Sequence, residues 1–252
     1  MSAGKFRVKR VAEASPASGR SQHFGKMEQR KRIAIYGGTF DPVHAGHLEV
    51  ARKILQLFAI DEFLFVPARL APHKLDARVS SALHRYAMLA LATQADPRFR
   101  ISTFELEDPQ RRYTVDTLSH FRAAFEEAVD LFFVMGADSW AEITTWREWQ
   151  RLLTLANLIV VTRPGYEVSA THAGAATAGR VFDIRGLTGA GSWQKAEPDA
   201  PKIFITDAVM HDGSATAARQ MARANRSEEL DKLVPPEVAD YIRKYGLYRN
   251  SQ

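Results

Sequence analysis

Hydrophobic residues along this chain fall into two patterns, short continuous apolar runs and longer stretches with a period of three to four. A short apolar strand is predicted over 32–36, and the segment after it sets Leu48, Ala51, Leu55 and Phe58 on one helical stripe, widened by Val50, Ile54 and Leu57. Residues 62–66 read as a second strand, stopped by Pro67. Helical spacing returns over 82–92, 100–104 reads as a strand and 115–128 as a helix. The continuous apolar run 131–135 has the character of a strand covered on both faces. A Trp-rich helical stretch reaching Leu153, strands over 157–162 and 203–206, and two closing helices over 215–224 and 236–245 complete the pattern. Between them, 167–202 lacks periodicity, and its Gly, Ala and Thr clusters predict a loop or insertion with little core.

Strands that alternate with helices predict a parallel sheet, because each parallel connection needs a crossover. The expected class is therefore α/β: a Rossmann-like, doubly wound parallel sheet with C-terminal helices. In open sheets of this kind ligands lie beyond the carboxyl ends of the strands.

With 252 residues, 46% of them hydrophobic, the chain can bury a substantial core, and one domain over 31–252 is expected. The formal charge of +5 is unevenly placed: residues 1–32 hold nine Lys/Arg against Glu13 and Glu28, whereas 33–252 hold 25 basic and 27 acidic side chains. The folded body thus has no basic bias, which disfavours a nucleic-acid partner. Residues 1–30 are expected to be a disordered basic tail, and Met27 is a candidate start. No cysteine occurs, so disulfides, thiolate metal sites and Cys nucleophiles are excluded. The apolar runs are too short to cross a bilayer and the N-terminus carries no signal-peptide core, so a soluble cytoplasmic protein with no membrane partner is expected.

The densest chemistry lies in Ile33-Ala-Ile-Tyr-Gly-Gly-Thr-Phe-Asp-Pro-Val-His-Ala-Gly-His-Leu48. A strand that breaks at Gly37-Gly38 and reaches a helix through His44 and His47 brings backbone N–H groups, a helix N-terminus and two imidazoles into one small volume, which suits a nucleotide phosphate. It is neither the dinucleotide GxGxxG nor the P-loop GxxxxGK[ST], which disfavours hydride transfer. As metal ligands the two histidines lack a third partner, since His73 sits beside the cationic Lys74. An ordinary packed pair is the other plain reading; no metal site is predicted. A second cluster, Ser214-Ala-Thr-Ala-Ala-Arg219, opens a helix, where a hydroxyl caps exposed N–H groups and an arginine one turn on can reach back to an anion. Taken alone, that pattern is usually only a cap.

The first stretch resembles the H-x-G-H signature of the nucleotidylyltransferase superfamily, and in full it is similar to the nicotinate mononucleotide adenylyltransferase branch. Further motifs agree in order. Ser214, Thr216 and Arg219 resemble that family's I-S-S-T-x-I-R element, though Gly213 and Ala218 stand where it has aliphatics, which puts the anchoring of that helix in question. Tyr113-Thr-Val-Asp-Thr-Leu118 resembles its Y-T-x-D-T-L element, and Gly136-Ala-Asp138 with Trp146 its G-x-D and downstream Trp. Lys74 resembles the lysine of P-P-H-K, and Arg163 the arginine of an R-P-G turn.

The resemblance implies transfer of AMP from ATP to nicotinate mononucleotide, giving nicotinic acid adenine dinucleotide and pyrophosphate for NAD synthesis. It implies catalysis by His44, His47 and Arg219, with Gly37, Gly38, Thr39, Phe40, Arg163, Ser214 and Thr216 adding contacts to ATP. It implies that Lys74, Tyr113, Thr114, Asp138 and Trp146 hold the mononucleotide, Trp146 stacking on the pyridine ring. Arg147 replaces an aromatic that often follows this Trp, and Arg163 either serves ATP or braces its loop. A carboxylate only accepts hydrogen bonds, so backbone donors near Thr114 favour the acid over the amide. Mg²⁺ is expected to arrive on the ATP phosphates. Two rivals remain at this point: a sister transferase acting on nicotinamide mononucleotide or phosphopantetheine, and a non-catalytic nucleotide-binding regulator.

Overall fold

The computed structural model describes residues 30–69, 79–108, 112–125, 129–162, 168, 173–187, 200–207 and 214–249. Among these residues seven strands form one sheet: β1 (Lys31–Gly38), β2 (Glu62–Pro67), β3 (Phe99–Ile101), β4 (Val129–Gly136), β5 (Asn157–Val161), β6 (Val181–Asp183) and β7 (Ile203–Thr206). Their order is β3-β2-β1-β4-β5-β7-β6, and every neighbouring pair is parallel. The chain winds outward from β1 in one direction through β2 and β3, then returns to the other side of β1 as β4. Strand order therefore reverses between β1 and β4, and a crevice opens at their carboxyl ends. Pairing of Tyr36 with Val134 brings both ends out at the same level.

Strand geometry sends successive side chains to opposite faces, and two cores result. Ala34, Phe63, Phe65, Phe132, Val134, Ile159 and Phe204 belong to one; Ile33, Ile35, Leu64, Leu131, Phe133, Leu158 and Ile205 belong to the other. Over the first face lie α1 (Ala45–Leu57), α2 (Ala82–Thr93), α7 (Ala215–Arg223), α8 (Ser227–Leu233) and α9 (Pro236–Tyr245); the second is covered by α4 (Thr114–Phe125), α5 (Ala137–Ala141) and α6 (Trp149–Leu155). A one-turn helix, α3 (Phe104–Glu107), leads from β3 toward α4. The predicted doubly wound sheet is the observed one. Ala218, which stands where the family has an aliphatic, is fully buried in the first core, so α7 is anchored by close approach of a small residue.

Several expected elements are corrected. The strand expected over 100–104 is β3 at Phe99–Ile101, and Phe104 already opens α3. The Trp-rich stretch is not one helix: α5, a 3-10 turn at Ile143–Thr145 and α6 succeed one another, broken by extended backbone at Trp146 and left-handed backbone at Glu148 (φ 49°). Within 167–202 the chain makes a 3-10 turn at Gly174–Thr177 and the edge strand β6, whose three residues are only partly covered and so carry no readable alternation. Among the described residues three helices follow β7 rather than two; the seven-residue α8, with Leu230 its one buried residue, has too little apolar stripe to be seen in sequence. Residues 126–128, expected as the end of a helix, lie outside the described residues, as do Lys74, Arg163 and most of the basic tail.

Candidate active site

β1 ends in Gly37-Gly38 at the switch point, and the loop Thr39–Val43 carries the chain to α1. A Cβ on Gly38 would stand 2.9 Å from the Phe40 ring, so only glycine lets that ring fold under the loop. Phe40 is 2% exposed and sits at φ 49°, the left-handed region. Its ring meets Tyr36 at 5.6 Å, Phe65 at 5.7 Å and His47 at 5.0 Å in edge-to-face contacts. Burial pushes the Tyr36 hydroxyl up to about 12, so this aromatic floor carries no charge at neutral pH.

His44 is the N-cap of α1, with extended backbone, and the His44 N–H donates to His47 Nδ1 at 3.2 Å. With Nδ1 accepting, a neutral His47 ring carries its proton on Nε2, making that edge the donor. The two imidazoles stack with centroids 3.7 Å apart, tilted by 32°. One face of the first turn of α1 thus presents two imidazoles beside a helix N-terminus, a setting for anionic oxygens.

The second cluster reaches this loop across 178 residues. Ser214 Oγ accepts from the Ala217 N–H at 3.0 Å, the capping role that the pattern alone suggests. Arg219, one turn on, donates from Nη1 to the Asp41 carbonyl at 2.7 Å and from Nη2 to Thr216 Oγ at 3.1 Å. Folding therefore places Arg219 and Thr216 against the loop that ends in His44 and His47.

Around this contact the structure adds residues that sequence reasoning missed. Asp41 is 3% exposed; its carboxylate accepts from the Tyr248 hydroxyl at 2.7 Å and from the Ser80 N–H at 3.1 Å. Arg85, 1% exposed on α2, donates to the carbonyls of Thr39 at 2.7 Å, Ser80 at 3.1 Å and Arg69 at 3.1 Å. Desolvation draws the Arg85 guanidinium below its ordinary value, opposed by Asp41 and Tyr248. A signal for Arg85 was available, since it lies on the α2 stripe with the buried Met88 and Leu89, where a charge has to be satisfied. Tyr248 had none, because nothing local ties a C-terminal tyrosine to a loop two hundred residues earlier.

The mononucleotide candidates gather at the other lip. Asp138 is exposed in the first turn of α5, directly beyond the carboxyl end of β4. Tyr113 precedes Thr114, the first residue of α4, and the Tyr113 N–H donates to Asp116 Oδ2 at 3.2 Å. The Arg147 guanidinium lies 4.9 Å over the Tyr113 ring, which brings the segment after Trp146 onto the start of α4. Trp146 is half-buried against the second core, and among the described residues its buried indole N–H has no acceptor, a donor suited to a ligand oxygen. Trp140 is core, at 1% exposed, and Trp149 packs against the same core. Glu105 on α3 accepts from the Thr117 hydroxyl of α4 at 2.7 Å, and Arg69 donates to the Leu106 carbonyl at 2.8 Å. A hydrogen-bonded line therefore runs from Thr39 through Arg85 and Arg69 to α3 and on to α4, joining the two lips.

Among the described residues no group of three or more His, Asp or Glu side chains is placed to hold a metal ion, and no helix is long and apolar enough to cross a membrane.

Residues 35–221 match the model of the cytidylyltransferase-like family. A protein of Thermoanaerobacter sp. named "Probable nicotinate-nucleotide adenylyltransferase" is 35% identical over 226 residues, covering 90% of this chain and 98% of that one. A Nocardioides sp. protein of the same name is 38% identical, covering 84% of this chain and 91% of its own length. Among solved structures, Plasmodium falciparum nicotinic acid mononucleotide adenylyltransferase complexed with NaAD superposes with a TM-score of 0.65 at 23% identity, over 86% of this chain and 97% of that one. That last likeness carries the fold.

Proposed function

This chain belongs to the cytidylyltransferase-like family and to the nicotinate-nucleotide adenylyltransferases within it, and from that membership we propose that it transfers AMP from ATP to nicotinate mononucleotide. A phosphate oxygen of the mononucleotide attacks the α-phosphorus of ATP in line. The new P–O bond makes nicotinic acid adenine dinucleotide as the bond to the β-phosphate oxygen breaks and pyrophosphate leaves. The attacking phosphate is already an anion at neutral pH, so no general base is needed. What the protein must supply is alignment and stabilisation of charge in the transition state. The observation that carries this reading is the Arg219 guanidinium on the Asp41 carbonyl, 2.7 Å away and three residues ahead of His44.

In this reading the His47 Nε2 donor, His44 and the N-terminus of α1 face the phosphates from one side, and Arg219 with Thr216 faces them from the other. Gly37, Gly38, Thr39 and Phe40 form the floor; Ser214 acts by capping α7. Trp146, Tyr113, Thr114 and Asp138 take the mononucleotide at the second lip. Lys74 keeps the mononucleotide role that the resemblance implies, and Arg163 serves ATP or braces its loop. A divalent cation such as Mg²⁺ would come with the triphosphate and would supply charge neutralisation for the leaving pyrophosphate. The compartment we propose, on composition, is the cytoplasm.

Pyrophosphate release measured with ATP and, in parallel, nicotinate mononucleotide, nicotinamide mononucleotide and phosphopantetheine tests the reading. Turnover with the acid, at a kcat/KM at least about tenfold above the amide, is the expected result, an acceptor-only carboxylate matching backbone donors. Preference for the amide or phosphopantetheine would reassign the substrate, and silence with all three would favour a binding protein without catalysis.

A further inference from the structure

After α9 the chain turns at Gly246 and packs Leu247 and Tyr248 against the first core, with the Tyr248 carbonyl accepting from Arg223 Nε of α7 at 3.5 Å. The Tyr248 hydroxyl reaches into the loop between β1 and α1 and donates to Asp41 Oδ1 at 2.7 Å; Oδ2 of the same carboxylate accepts from Ser80. The backbone carbonyl of Asp41 is the acceptor that holds Arg219. One buried residue is thereby gripped at three atoms by three distant parts of the chain.

We propose that Tyr248 is a positioning residue for AMP transfer: by fixing the Asp41 side chain it fixes the direction of the Asp41 carbonyl, and so where Arg219 stands relative to His44 and His47. The proposal rests on the reading of Arg219 as a phosphate-holding group. Two further observations support it. Tyr248 (φ 68°) and Phe40 (φ 49°), the residue just before Asp41, adopt left-handed backbone without being glycine, so the chain on either side of the contact is held against local preference by its surroundings. Burial, then the neighbouring Asp41, raises the Tyr248 hydroxyl well above the usual phenol range, so it stays a donor throughout the working pH. A guanidinium anchored on a backbone carbonyl follows any rotation of that peptide plane, and displacements near 1 Å cost catalysis up to about 100-fold.

The test is a double-mutant cycle on the full chain, with wild type, Tyr248→Phe, Arg219→Ala and the double variant assayed for kcat, KM of each substrate and Tm. Phenylalanine keeps the ring in the apolar cluster and removes only the hydroxyl. The expected result for Tyr248→Phe is a loss in kcat of about 5- to 50-fold with KM for nicotinate mononucleotide within about twofold. The double variant should then be no slower than Arg219→Ala alone, because the hydroxyl acts through that side chain. Wild-type kcat in Tyr248→Phe beside a collapse in Arg219→Ala overturns the proposal alone, as do losses that simply multiply. An unaffected Arg219→Ala overturns the underlying reading instead. If Tyr248→Phe does not fold, Asp41→Asn weakens the same bond by removing the charge of its acceptor; a smaller kcat loss in the same direction is expected, and wild-type kcat there overturns the proposal.

Discussion

In the proposed reading His47 has two jobs whose separation is measurable. Its Nδ1 accepts the His44 N–H at 3.2 Å, completing the start of α1, and that bond assigns the ring's proton to the Nε2 edge. His47→Ala is expected to lower kcat by about two to four orders of magnitude, the scale for a donor aimed at developing charge, while the lost cap costs only about 1 kcal/mol in thermal unfolding. A variant that loses stability but not kcat would leave His47 as a cap alone. Trp146 offers a flat face and a buried indole N–H with no acceptor among the described residues. Trp146→Ala is expected to raise KM for nicotinate mononucleotide up to about tenfold, with KM for ATP unchanged in steady-state kinetics, because stacking is worth about 1 kcal/mol. At this scale much of the candidate site was legible. His44, His47 and Arg219 are recognisable because their chemistry lies in contiguous motifs, whereas Asp41, Arg85 and Tyr248 act through contacts made only after folding.

Elements that bury enough apolar residues to show a stripe or a run were readable; those that bury few were not. β1, β2, β4, β5 and β7 each put consecutive residues into opposite cores, so their apolar runs stand out. β6 and α8 bury too little, and the Trp-rich stretch breaks where Glu148 takes a left-handed conformation that residue type does not announce. The short α3 has its own signature in pH. Burial raises the Glu105 carboxyl above its usual range, against the lowering by the Thr117 hydroxyl bond and by Arg112. Between the ordinary glutamate value and the raised one, the folded state binds more protons than the unfolded one, so stability falls as pH rises through that window. Glu105→Gln, which still accepts from Thr117, is therefore expected to raise Tm relative to wild type at pH 8 and to lose that advantage toward pH 4, read by thermal melts across the range. A pH-independent difference would assign the effect to packing.

At the scale of the whole molecule the sheet decides where chemistry can occur. Reversal of strand order between β1 and β4 opens a crevice flanked by the N-terminus of α1 on one side and that of α5 on the other. The C-terminal helices fold over the first face and return α7 and Tyr248 to the β1 loop. We propose that 31–252 act as one domain and that the basic segment before it takes no part in turnover. Deleting residues 1–26, so that Met27 leads, is expected to leave kcat/KM for nicotinate mononucleotide within about twofold. A drop beyond tenfold would show that the basic segment contributes to binding or catalysis.

Local pattern was sufficient for the class of fold, the sheet's apolar strands, the candidate phosphate motif and the family, because these depend on residue types at fixed spacing along the chain. It was insufficient for the strand order, for the meeting of Arg219 with Asp41, and for the hydrogen-bonded line through Arg85 and Arg69. Those depend on which distant segments pack together, and a hydrogen bond across 178 residues leaves no trace in the spacing of either partner.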